Sequence, residues 1–150
     1  MAIWFDPSIT LEKIKEFGRQ SMAGYLGMEW TRIGPDFLEM TMPVNEKTRQ
    51  PYGFLHGGAS CALAETAGSV GSALVIDRDK FYCVGLEINA NHVRSAMGGM
   101  VTATASALHL GKTTHVWDVK IHDEALNLIC VSRLTVAIVP NNRFLPATKM

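Results

Sequence analysis

Neither sign of charge dominates this sequence. Lys plus Arg and Asp plus Glu stand at 14 each, so the formal net charge is zero and the pI is about 7.0. A nucleic-acid-binding chain carries a basic excess or stripe, and none is present. A net charge near zero gives little protection against association, so an oligomer is expected. Cysteine is scarce and odd in number: Cys61, Cys83 and Cys130 show no CxxC spacing. That argues against a disulfide framework and fits a reducing compartment. No apolar run approaches the ~18 residues of a membrane span. The opening MAIWFDPSIT lacks a basic segment followed by a long apolar one, so no signal peptide is read. A cytoplasmic location is the expectation. Repeats and low-complexity stretches are also missing.

What is present is a hydrophobic share of 47% against 19% charged residues, which excludes a disordered or fibrous chain. The 150 residues correspond to one domain at ~100–200 residues per domain. We expect it to span residues 1–140, with 141–150, polar and proline-bearing, as a loose tail. Asp6-Pro7 reads as a cap followed by Pro at the first helical position. Leu11, Ile14 and Phe17 follow at helical spacing, and Gly18, Gly24 and Gly27 keep this helix short or broken. Leu38, Met40, Met42 and Val44 alternate with polar positions, a half-buried strand with Pro43 near an edge or end. Residues 57–76 are rich in Ala, Gly and Ser with one charge, Glu65, and predict a buried helix. Gly68 and Gly71 within it invite close approach of backbone or ligand. Four strands follow at about 81–94, 100–109, 113–122 and 128–139. Their connections are too short for parallel crossovers, which need a dozen or more residues, so an antiparallel four-strand meander is expected. The fold class is α+β: an antiparallel sheet wrapped around one long central helix, with a short N-terminal helix.

The chemistry concentrates at the start of the long helix. Gln50-Pro51-Tyr52-Gly53-Phe54-Leu55-His56-Gly57-Gly58-Ala59-Ser60 leads into it. Two glycines at a helix N-terminus leave approachable N–H groups, and the helix dipole points its positive end the same way. Such a place can hold a developing oxyanion, with Gln50 and His56 as further donors. Glu65 lies among Ala62, Ala64, Ala67 and Gly68, which show no polar face, so it is expected to be enclosed. Ser69, four residues on, shares its face. A hydroxyl and a carboxylate side by side can hold and activate a water. Gly57 and Glu65 are eight residues apart, about 12 Å along one helix at ~1.5 Å per residue. One reacting carbonyl cannot touch both, since reacting atoms sit ~3–3.5 Å apart. If both take part, two chains supply them, their helices antiparallel across a twofold axis.

These residues resemble the hotdog-fold acyl-CoA thioesterases of the PaaI-like group. The resemblance rests on the Gln50-to-Ser60 segment, Leu63-Ala64-Glu65, Gly68-Ser69, the run from Val84 to Ser95, and Leu108-His109-Leu110-Gly111. It runs from about Ile9 to Val139. Within the group, the likeness is nearest to the enzymes that cleave 1,4-dihydroxy-2-naphthoyl-CoA in menaquinone synthesis and those that proofread enterobactin synthesis. It implies a homodimer with shared active sites, assembled into a homotetramer. It implies Glu65 as nucleophile or general base, and Gln50 with the Gly57 N–H of the opposite subunit polarising the thioester carbonyl. His56 would position the substrate and Ser69 would hold the water or the carboxylate. The implied coenzyme A contacts are Gly85, His92, Val93, Arg94, Ser95, His109, Leu110, Gly111, Lys112, Thr113 and Thr114. Arg94 and Lys112 are the natural phosphate partners. The Lys112-Thr113-Thr114 stretch departs from its relatives, which varies the nucleotide contacts and not the chemistry.

The expected activity is hydrolysis of an acyl-CoA or acyl-carrier thioester with an aromatic acyl group, such as dihydroxynaphthoyl or hydroxybenzoyl. No cofactor is expected, coenzyme A being part of the substrate. Tyr52 and Phe54 are candidates for the acyl pocket. Two alternatives stay open: a hotdog 3-hydroxyacyl-thioester dehydratase using His56 and Glu65, and a non-catalytic acyl-CoA-binding module. The spacing of His109, His115 and His122 matches no zinc signature, so no metal, nucleic acid or membrane partner is expected.

Overall fold

A computed structural model of the chain describes residues 2–141. The expected tail therefore lies, apart from Asn141, outside the described residues. The N-terminal helix is broken into two single turns, α1 (Leu11–Ile14) and α2 (Met22–Tyr25). Gly18, with φ +79°, takes the left-handed conformation in the turn between them. The cap of α1 is Thr10 and not Asp6: its side chain accepts from the Lys13 N–H. Asp6 instead accepts from the Ser8 N–H and hydroxyl at 2.8 and 2.7 Å, a local turn that precedes the helix.

Six strands form one antiparallel sheet in the order β1-β2-β4-β5-β6-β3. They are β1 (Glu29–Ile33), β2 (Phe37–Pro43), β3 (Phe81–His92), β4 (Met100–Leu110), β5 (Thr114–Asp123) and β6 (Leu128–Pro140). β1 escapes sequence reading because Trp30 is its only buried residue, so no alternation marks it. In β2, Leu38, Met40 and Met42 are buried as the period of two predicts. Pro43 ends the strand, which lies between β1 and β4 and is not an edge.

The expected four-strand meander is corrected. Only β4-β5-β6 meander; β3 pairs with β6 at the far edge and does not touch β4 in the sheet. The 93–99 connection crosses the strand ends instead of turning back. It is stitched there by Val93 N–H to Ile129 O at 2.9 Å, Leu55 N–H to Ala96 O at 2.8 Å and Val44 N–H to Gly99 O at 2.9 Å.

The long helix α3 (Gly57–Val75) packs on the sheet, burying Leu63, Ala64, Ala67, Gly68, Gly71 and Leu74. What comes close to its glycines is the sheet itself. A methyl group at Gly71 would sit 2.8 Å from Trp117 Cη2, and one at Gly68 would sit 2.7 Å from Leu134 Cδ2. The fully buried Trp117 indole thus fills the groove these glycines leave, and its Nε1–H donates to Ser72 Oγ at 2.8 Å. The same hydroxyl lies 3.1 Å from His115 Nδ1. No described helix is long and apolar enough to cross a membrane.

Burial holds the His115 pKa below its ordinary 6.5; contact with the Gly111 backbone opposes this, and the charge of His109 adds to it. The ring is therefore neutral when folded, while the unfolded chain takes up a proton as pH falls through about 6.5. The unfolded state then binds more protons, so this contribution to stability is intact above 6.5 and is lost as pH falls through the lowered folded value. Thermal melts between pH 7 and 5 should show a smaller drop for His115→Asn than for the wild type.

Candidate active site

The segment before α3 is a tight, internally bonded loop. Buried Thr48 anchors it: its hydroxyl donates to Pro43 O at 2.7 Å and its carbonyl accepts from the His56 N–H at 2.8 Å. Gln50 N–H donates to Phe54 O, and Gly53, with φ +88°, makes the turn between them. Gln50 Oε1 accepts from the Tyr52 N–H at 2.5 Å. That bond fixes the amide orientation and leaves Nε2–H₂ as the free donor. Tyr52 itself is 86% exposed and does not line the cleft described below, which Phe54 does.

His56 caps α3. Its Nδ1 accepts from the Gly58 N–H at 2.8 Å, so the neutral ring carries its proton on Nε2. The Ala59 and Ser60 N–H groups donate to the His56 carbonyl. In the first turn only the Gly57 N–H has no partner among the described residues. It sits at the positive end of a 19-residue helix.

Strand β3 brings the other side of the site. Phe81 and Cys83 pack on the core before a β-bulge between Gly85 and Glu87, and Ile88 and Ala90 pack on it after. The extra residue, Leu86, switches the inward face from odd to even positions. The switch carries His92 onto the start of α3: a methyl at Gly57 would meet His92 Nε2 at 2.8 Å. Val93, Arg94 and Ser95 follow, held by the two N–H donations from Val93 and Arg94 to Ile129 O.

A cleft of about 310 Å³ results. It gathers Gln50, Phe54, Gly57, His92, Val93, Arg94 and Ser95 from the residues singled out by sequence, and adds Leu55, Ser60 and Ile129. Ser60 was given no role by the sequence reading. Its position three residues after Gly57, one helical turn along the same face, was the signal available.

Glu65 is not in this cleft, and the expectation that it is enclosed is not met. Within one chain it is exposed. The small side chains around it cover the sheet-facing side of α3 and leave Glu65 on the outer side, with Thr66 and Ser69 half-buried beside it. Its carboxylate lies over β3, where a methyl at Gly85 would be 2.5 Å from Oε1. Gly85 is thus beside Glu65 and away from His92–Ser95. Ser69 shares that side of the helix but makes no hydrogen bond to Glu65; its carbonyl accepts from Cys83 Sγ at 3.5 Å. Burial, and secondly the charge of Glu65, raises the pKa of Cys61; burial is also the first cause raising those of Cys83 and Cys130. None of the three is a ready thiolate.

The predicted coenzyme A residues fall into separate places. Leu110, Gly111, Lys112 and Thr113 line a second cleft of about 530 Å³ with Val75 and Ile76. That is the opposite end of α3, roughly 28 Å from its start at ~1.5 Å per residue. Thr114 opens β5, its carbonyl accepting from the Gly111 N–H, and His109 stands exposed next to that turn. One chain does not bring both groups around a single nucleotide. Among the described residues no three His, Cys, Asp or Glu side chains cluster to hold a metal.

A long helix packs on an antiparallel sheet, and the Gln50 amide and the Gly57 N–H line one cleft near the helix start. The Thioesterase superfamily profile matches residues 52–130. The 1,4-dihydroxy-2-naphthoyl-CoA hydrolase of Escherichia coli is 50% identical over 131 residues, 87% of this chain and 96% of that one. The proofreading thioesterase EntH of Cronobacter turicensis is 44% identical over 131 residues, 87% and 95% of the two chains. A crystal structure of a glutamine-to-alanine variant of thioesterase PA1618 from Pseudomonas aeruginosa superposes with a TM-score of 0.90 at 43% identity, covering 93% of this chain and 100% of that one. The chain belongs to the Thioesterase superfamily and is a thioester hydrolase with the hotdog fold.

Proposed function

We propose that this enzyme hydrolyses aromatic acyl-CoA thioesters, with 1,4-dihydroxy-2-naphthoyl-CoA as the substrate type to test first. The name of the Escherichia coli relative, a 1,4-dihydroxy-2-naphthoyl-CoA hydrolase, supports the aromatic acyl group, and Phe54 offers a flat apolar wall in the cleft. The observation that carries the mechanism is the pair of unengaged donors, Gln50 Nε2 and Gly57 N–H, lining one cleft that lacks a carboxylate. They polarise the thioester carbonyl and hold its developing oxyanion. Glu65 of a second chain supplies the carboxylate, as nucleophile or as base for water, with Ser69 beside it. His56 Nε2–H serves the departing thiolate. Arg94 takes a phosphate of coenzyme A, its guanidinium suited to bidentate contact. Water and these side chains suffice for the reaction.

The shared site needs an interface. Support comes from β3, an edge strand bonded on one side only, which exposes Tyr82, Val84 and Leu86 at 48, 46 and 62%. An exposed apolar edge is a template for pairing with another chain. Gln50→Ala should lower kcat about 10²–10³-fold with little change in KM, the cost of one oxyanion donor. Steady-state kinetics on a panel of aryl- and alkyl-CoA esters checks both claims. Unchanged kcat would remove Gln50 from the mechanism, and a preference for alkyl esters would overturn the substrate class.

A further inference from the structure

We infer that Gly85 is a positioning residue for the Glu65 carboxylate. This rests on the proposed role of Glu65 and assigns Gly85 a task other than contact with coenzyme A. Four glycines of the described chain take positive φ, namely Gly18, Gly27, Gly53 and Gly99; Gly85 is not among them. Its backbone conformation is open to any residue. Glycine inside a strand is less favourable than alanine, so its presence at an ordinary φ points to a close approach. The approaching group is Glu65. A methyl at position 85 would lie 2.5 Å from Oε1, 3.4 Å from Cδ and 4.0 Å from Cγ. The three nearest atoms beyond its chain neighbours all belong to Glu65. The vacancy is therefore shaped to the end of one side chain.

Three further features fit this task. Among the described residues the carboxylate has no hydrogen bond or ion pair, so van der Waals contact with β3 is what limits where it can lie. The β-bulge begins at Gly85: Gly85 lies opposite Val136 and Glu87 opposite Thr135, so Leu86 is the extra residue and the edge strand bends beside the acid. Cys61 lies one turn before Glu65 on α3, and the carboxylate charge adds, after burial, to the raised pKa of its thiol. An added methyl meets the far end of a flexible side chain, so the acid can swing aside at little cost in stability. What it loses is its aim.

The test separates this from the alternatives. Gly85→Ala should keep the wild-type melting temperature within about 2 °C and bind free coenzyme A with unchanged Kd, while kcat falls about 10- to 100-fold, the scale set by a displacement near 1 Å. A raised Kd for coenzyme A with kcat intact makes Gly85 a nucleotide contact and overturns the proposal. So does unchanged kcat. The second arm uses the shorter acid. In a Glu65→Asp background the carboxylate no longer reaches position 85, so adding Gly85→Ala should cost less than threefold more. An undiminished loss in that background overturns the positioning role, including where the single variant folds poorly. If Glu65→Gln itself retains turnover, the underlying reading of Glu65 fails. If Glu65→Gln is inactive and Gly85→Ala is not impaired, only the present proposal fails.

Discussion

Glu65→Gln is expected to reduce kcat on an aryl-CoA substrate about 10³-fold, close to 4 kcal/mol of transition-state stabilisation. The amide keeps the shape of the side chain and removes both its basicity and its negative charge. Glu65 is exposed in the single chain and has no ion-pair partner among the described residues, so the substitution leaves no buried partner stranded there. Folding should be unaffected, and binding of a coenzyme A ester should persist, because Arg94 and the donors of the first cleft are untouched. The expected pattern is a collapse of kcat with a nearly constant Kd. Isothermal titration with a non-hydrolysable thioester analogue, paired with steady-state rates, reads both. Retained turnover would remove the carboxylate from the mechanism.

Trp117→Ala should destabilise the fold by about 3–5 kcal/mol. The side chain is fully buried and laid against Gly68 and Gly71, so its loss opens a cavity that two glycines cannot collapse to fill. It also removes the N–H that donates to Ser72 Oγ. Trp117→Phe should cost less, since it keeps most of the volume and loses only the donor and the outer ring. Urea unfolding at fixed protein concentration distinguishes the two variants. An alanine variant as stable as the wild type would mean that α3 can settle onto the sheet without the indole.

The parts of the fold that follow a period were legible before any coordinates. Leu38, Met40 and Met42 alternate and form β2; the Ala- and Gly-rich run from 57 forms α3 to within a residue of its predicted end. β1 offered a single inward residue, Trp30, and no period. The position of β3 at the far edge was hidden for another reason. A seven-residue connection permits a turn between neighbours, and only the bonds to Ile129, Leu55 and Val44 show that it crosses instead. The cleft at the start of α3 was legible as a motif, since Gln50, Phe54 and Gly57 are close in sequence. The approach of His92 was not, because it depends on one bulge residue, Leu86, shifting the parity of a strand. Glu65 was found for its chemistry but misjudged in its burial. Small neighbours line the face of α3 toward the sheet, and composition does not say which face an acid takes.

The central claim is that donors from one chain and the carboxylate from another act on the same thioester. Mixing Gln50→Ala chains with Glu65→Ala chains tests it directly. Random pairing yields half heterodimers, each with one intact site of two, so about one quarter of wild-type activity should return. Tagged heterodimers, isolated and confirmed by mass, should carry about half of it. Isolated heterodimers as inactive as either parent would contradict the shared site.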